Sequence, residues 1–103
     1  MSERIYSFIG LARKANRLLS GEDTCERAIK AGKVELIIIA EDASENTRKR
    51  FIDACNYRNV NIRIYGRKEY LGRFTGKNVR SVIAILEKNF SKRLIEMIDS
   101  VNN

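Results

Sequence analysis

Ile5, Phe8, Ile9 and Ala12 fall at i, i+3, i+4 and i+7, the stripe of an amphipathic helix that ends near Arg13 and Lys14. Leu18-Leu19-Ser20 reads as a very short strand. Cys25, Ala28 and Ile29 then mark the buried side of a second helix, which Gly32 stops. Val34 to Ala40 is apolar except for Glu35, too short and too β-branched for a helix, and reads as a central strand. Asp42 and Ser44 start a third helix that buries Phe51, Ile52 and Cys55. Val60 to Tyr65 alternates with period two, a strand with one basic face. After a turn at Gly66, a short helix over Arg67 to Phe74 carries Leu71 and Phe74. Val79 to Leu86 is a further mainly apolar strand, and Phe90, Leu94, Met97, Ile98 and Val101 stripe a final helix.

This alternation predicts an α/β protein: a three-layer α-β-α sandwich with helices on both faces of a four-stranded mixed sheet. No linker, repeat or low-complexity segment interrupts residues 1–103, which are expected to form one domain around a modest core. At the start of the second helix, Ser20 is the N-cap candidate, and Asp23 three residues on makes an acidic variant of the capping box. Gly21 removes a side chain where the helix begins, so another backbone can approach the N–H groups there.

Charge changes the picture. The chain carries a formal net charge of +7 and contains no histidine. Residues 61–93 hold nine basic groups (Arg63, Arg67, Lys68, Arg73, Lys77, Arg80, Lys88, Lys92 and Arg93) against two acidic ones. A localised basic excess is the electrostatic footprint of a polyanion-binding protein, most often one that binds nucleic acid.

Other classes fall away. No apolar run approaches the length of a membrane span, and the N-terminus lacks the basic, apolar and small-residue succession of a secretory signal, so a cytoplasmic protein is expected. Cys25 and Cys55 both lie in helical patterns and are expected to be buried thiols rather than a disulfide. Without histidine there is no Ser-His or Cys-His nucleophile pair and no histidine metal site, and the cysteines lack metal-ligand spacing. Gly72-x-x-x-Gly76-Lys77-Asn78 lacks the spacing and the hydroxyl of a phosphate-binding loop. Glu41-Asp42 is expected to be a solvated residue followed by a cap for the third helix. No cofactor, metal or catalytic activity is expected.

Several separated segments carry a resemblance: Gly10-Leu11-Ala12-Arg13-Lys14-Ala15, Ser20-Gly21-Glu22-Asp23, Glu41-Asp42-Ala43-Ser44-x-Asn46-Thr47, Cys55-Asn56-Tyr57, Leu71-Gly72 and Gly76-Lys77-Asn78-Val79. In this order, over roughly residues 5 to 95, the chain resembles the kink-turn-binding ribosomal proteins (the L-seven-Ae family), in their small bacterial YlxQ-like branch. That family's α/β/α sandwich agrees with the element order above. The resemblance implies a structured RNA partner, a sharply bent duplex flanked by sheared G·A pairs, and a ribosome-associated protein. Such a bend crowds phosphates and needs positive charge to persist.

The resemblance further implies two contacts. A helix start enters the RNA groove and reads guanine edges, and it falls here on Gly21, Glu22, Asp23, Thr24 and Arg27. A loop before the last strand packs an apolar side chain on extruded bases, and it falls on Gly76, Lys77, Asn78, Val79 and Arg80, with Val79 as the apolar contact. Lys30, Lys33 and Lys77 are phosphate partners by proximity in sequence. Asp23 stands where the family has an amide or lysine, and Thr24 where it has a longer polar side chain. A carboxylate can still accept hydrogen bonds from a guanine edge, and Asp23 can equally serve the helix dipole. A monomer is expected when free. The competing readings are a protein-interaction or dimerisation module and an accessory substrate-binding domain of an RNA-modifying enzyme, against which stands the absence of a catalytic partner before Asn103.

Overall fold

Helices and strands alternate in the predicted order through residues 3–102, which the computed structural model describes. They are α1 (Glu3–Lys14), β1 (Leu18–Ser20), α2 (Glu22–Lys30), β2 (Leu36–Ile39), α3 (Glu45–Arg58), β3 (Asn61–Ile64), α4 (Lys68–Phe74), β4 (Val82–Ile85) and α5 (Lys88–Val101). The four strands form one mixed sheet in the order β1-β4-β2-β3. β4 runs antiparallel to both neighbours, with Ser20 opposite Ile83 and Ile38 opposite Ile83, whereas β2 and β3 are parallel, with Ile39 opposite Ile64.

The apolar runs go where a strand is covered on both faces. Every residue of β2 and β4 is fully buried, while the edge strands β1 and β3 are only partly so. α2 packs on α3 to form one helical layer, and α1 packs on α4 and α5 to form the other. Ile9, Ile29, Phe51, Leu71, Leu94 and Ile98 fill the space between layers and sheet, each large apolar side chain contributing about 1.5–3 kcal/mol on removal from water. Both thiols are free and buried.

Local details differ from the sequence reading at Val79, Ile52 and Asp42. Val79 lies outside β4, which begins only at Val82, because Val79 to Ser81 belong to the turn out of α4. Ile52 is only half-buried on α3. Ser44 caps α3, its Oγ accepting from the Thr47 N–H at 3.1 Å. Asp42, expected to share that task, instead accepts from the Lys68 N–H at 2.9 Å and faces the Arg67 guanidinium at 3.6 Å. It therefore serves the start of α4, whose free N–H groups lie beside the end of β2 in space though not in sequence.

Candidate nucleic-acid interface

The start of α2 is a glycine cap with an open first turn. Gly21, not Ser20, is the N-cap; it has φ 96° and ψ 149°, and no side chain closes the turn. An L side chain rarely adopts that conformation, which explains glycine there. The Gly21 N–H donates to the Val82 carbonyl at 3.0 Å, so the backbone stays on the sheet until the residue where the helix begins. Ser20 remains in β1, and its Oγ accepts instead from Arg80 Nε at 3.1 Å. The capping-box expectation for Ser20 and Asp23 is thereby corrected: sheet pairing of Ser20 leaves no hydroxyl for the helix.

The loop that follows α4 is shaped by its own backbone. Gly76, at φ 77°, ends the helix, with its N–H donating to the Arg73 carbonyl and the Lys77 N–H to that of Gly72. The buried Thr75 hydroxyl donates to Leu71 at 2.7 Å. Asn78 then crosses Gly72 so closely that a Cβ on Gly72 would lie 2.5 Å from the Asn78 carbonyl oxygen. The Arg80 N–H donates to the Lys68 carbonyl at 2.9 Å, which sets Val79 at the crest of the loop, 48% exposed.

These two segments meet. Gly21, Glu22, Asp23, Arg50, Val79, Arg80 and Ser81 line one open cavity. Arg80 is the bridge between them: Nε is held by Ser20 and one terminal nitrogen by the Val79 carbonyl. Gly76, Lys77 and Asn78 are exposed and Thr24 is half-buried, but none of the four lines this cavity; a Cβ on Gly76 would meet the Arg13 guanidinium of α1 instead. Asp23, Arg27 and Lys30 share an outward stripe of α2, opposite Cys25, Ala28 and Ile29. Lys30 and Lys33 do not join the cavity. Lys30 is the last residue of the nine-residue helix, about 13 Å from its start at the usual rise per residue, and Lys33 lies in the turn beyond it.

Arg50 of α3 is the residue that sequence reasoning missed. Its NH1 donates to Glu22 at 3.0 Å, its NH2 to Asp23 at 3.1 Å and to Glu26, and its Nε to Glu26 at 3.1 Å. Glu22 is fixed from the other side by the Thr47 hydroxyl, which donates to Oε2 at 2.9 Å and itself accepts from the Ser44 hydroxyl at 3.0 Å. Hydrogen bonding from Arg50 holds the Glu26 carboxyl below the usual carboxylate range, and Glu26 and Asp23 in turn push the Arg50 guanidinium further up. A signal for this clasp exists in the sequence. Three acids within two turns of α2 need a counter-charge, and Arg48-Lys49-Arg50 offers one, but only the packing of α2 on α3 selects Arg50.

Among the described residues, no group of three or more histidine, cysteine, aspartate or glutamate side chains is placed to hold a metal ion. The arrangement presents hydrogen-bond donors, aimed carboxylates and one exposed apolar side chain on a single rim.

Comparison with known proteins agrees with this architecture. A model of the ribosomal protein L7Ae/L30e/S12e/Gadd45 family matches residues 3–95. RNA-binding protein YlxQ of Bacillus subtilis (strain 168) is 36% identical over 94 residues, covering 91% of this chain and 94% of that protein. The protein of the same name from Enterococcus faecium is 31% identical over 97 residues, 94% of this chain and 93% of its own length. A solved structure from Bacillus halodurans, of a protein with unknown function, superposes with a TM-score of 0.89 at 35% identity, covering 93% of this chain and 97% of that one. The Giardia lamblia 15.5kD RNA binding protein shares the fold, with a TM-score of 0.81 at 21% identity over 96% of this chain and 88% of its own.

Proposed function

This chain belongs to the ribosomal protein L7Ae/L30e/S12e/Gadd45 family, in its YlxQ-like bacterial branch, and from that premise we propose that it is a non-catalytic RNA-binding protein that grips a kink-turn in structured RNA, in association with the ribosome. One observation carries the reading. The glycine-capped start of α2 and the loop carrying Val79 form one rim, joined through Arg80 and Ser20. Two arms of an RNA that bends sharply can be engaged only by a protein whose two contact segments are adjacent and rigidly related.

Each side chain has a chemical task on that rim. Gly21 lets the RNA backbone approach the helix start, Asp23 and Thr24 present an acceptor and a hydroxyl to base edges in the groove, and Glu22, held by Arg50 and Thr47, braces that turn from behind. Arg27, one turn on, reaches a phosphate or a base. Val79 packs on extruded bases, while Gly76, Lys77, Asn78 and Arg80 follow the backbone beside it. Lys30 and Lys33, at the far end of α2, serve phosphates of a flanking stem. The protein works as a cytoplasmic monomer; no helix among the described residues is long and apolar enough to cross a membrane.

Gel shifts with a kink-turn RNA and with the same RNA lacking its G·A pairs test the reading. Base-edge recognition requires at least about tenfold tighter binding to the first. Equal binding to both would leave only charge-driven affinity and sink the kink-turn assignment.

A further inference from the structure

We propose that Arg50 is the positioning residue of the RNA interface: by clasping Glu22, Asp23 and Glu26 it offsets part of their repulsion toward phosphate and aims one Asp23 oxygen at the edge of a guanine. The inference deepens the reading above and rests on it.

The guanidinium is not itself available to RNA. Its three nitrogens all donate to carboxylates of α2, so it can turn toward a phosphate only by releasing one of them. Glu22 is likewise spent, with Oε1 on Arg50 and Oε2 on Thr47. Asp23 is different. Only its Oδ1 is held, its side chain is 81% exposed, it lines the cavity shared with Val79 and Arg80, and its Oδ2 makes no hydrogen bond among the described residues. A carboxylate pinned through one oxygen presents the other in a defined direction. A guanine offers N–H donors along its Watson–Crick edge, where adenine offers a ring acceptor as well, so an acceptor-only group fixed there favours guanine.

The charge argument runs alongside. Three carboxylates on the first turns of a helix would oppose any phosphate approaching that end. One guanidinium in contact with all three offsets part of that field and spreads the remainder over a fixed group rather than three mobile chains. The departure from the family's residues at Asp23 thus has its compensation inside this chain, on a neighbouring helix.

The test measures dissociation constants for a kink-turn RNA and for the same RNA without its G·A pairs, using wild-type protein, R50A, R50K and the triple variant R50A/E22Q/E26Q, each checked for folding by circular dichroism. R50A should weaken binding to both RNAs by about tenfold and bring their affinity ratio down toward one. The triple variant should regain affinity for the RNA without G·A pairs but keep the low ratio, because Asp23 remains unpinned. R50K should hold the general affinity and lose the ratio, since an ammonium cannot fork across three carboxylates. If R50A alone fails to fold, R50K and the triple variant carry the test. An R50A ratio within twofold of wild type overturns the inference, as does a triple variant that regains nothing, for then Arg50 touches RNA directly. Wild-type protein that binds both RNAs equally would overturn the kink-turn reading instead, and the clasp is then judged by charge repair on either RNA.

Discussion

Arg80 Nε donates to Ser20 Oγ at 3.1 Å, tying the loop after α4 to the last residue of β1 across sixty positions of sequence. The bond spans the rim rather than the core, and Arg80 keeps a second anchor in the Val79 carbonyl at 2.8 Å. Removing the hydroxyl should therefore loosen the relation between the two contact segments without unfolding the protein. Ser20→Ala is expected to cost no more than about 1 kcal/mol of stability while lowering kink-turn affinity several-fold. Urea denaturation beside fluorescence anisotropy separates the two effects; a stability loss with unchanged affinity would show the bond to be structural only.

Arg27 is exposed on α2 and its side chain makes no hydrogen bond or ion pair among the described residues. Surface changes of this kind move stability by about 0.5 kcal/mol or less. Arg27→Ala should accordingly leave the melting temperature within ~2 °C of wild type and weaken RNA binding about five- to tenfold. A collapse in melting temperature would count against its assignment to RNA.

Gly72 sits inside α4, where alanine ordinarily stabilises a helix by up to about 1 kcal/mol. Here the added Cβ would meet the Asn78 carbonyl oxygen at 2.5 Å and the Val79 Cα at 2.8 Å, both backbone atoms that cannot swing aside. Gly72→Ala should reverse the usual sign, destabilising by about 1–3 kcal/mol, and should displace Val79 enough to weaken RNA binding. A stabilised variant with normal affinity would mean the loop yields freely.

Acid sensitivity follows from the ion pairs. Hydrogen bonding from Arg50 lowers the Glu26 carboxyl, and hydrogen bonding from Arg63 lowers that of Asp99, whose carboxylate meets the guanidinium at 2.8 Å. A carboxyl whose folded pKa lies below its unfolded value binds fewer protons when folded, so its stabilisation is present above about pH 4 and is lost as pH falls through the folded pKa. The melting temperature should be flat near neutrality and decline below about pH 4–5. Asp99→Asn should lower the neutral plateau slightly and make the acid limb shallower; an unchanged limb would show that the pair does not contribute.

The thiols should be inert while the protein is folded. Burial pushes Cys25 up to about 12 and Cys55 up to about 11, and the Cys25 Sγ lies 3.7 Å from the Leu19 carbonyl. The thiolate is the reactive form, so alkylation at pH 8 should be slow in buffer and fast in urea. Mass spectrometry of iodoacetamide-treated protein reads this directly, and rapid labelling of native protein would contradict the burial.

Much of the architecture is legible along the chain because it depends on neighbours. The i, i+3, i+4 stripes in α1, α2 and α5 and the unbroken apolar runs of β2 and β4 report local periodicity against a buried face, and the fold places them as they read save for Val101, which is exposed at the end of α5. The four strands and their helical cover on both faces follow from the same alternation, whereas the antiparallel run of β4 does not, since strands alternating with helices favour a parallel sheet. What the order of residues could not say is which distant group each polar side chain would meet. Asp42 has the composition of a cap for the helix that follows it, yet it serves α4, twenty-six residues away, because β2 ends beside that helix. Ser20 has the composition of an N-cap, yet sheet pairing turns its hydroxyl to Arg80. Arg48, Lys49 and Arg50 are equivalent as charges, and only the packing of α2 on α3 brings Arg50 to the three acids. Periodicity is a property of one segment and its solvent, so the sequence alone determines the elements and their buried faces; a hydrogen bond between segments needs two surfaces already in register, and that only the tertiary structure decides.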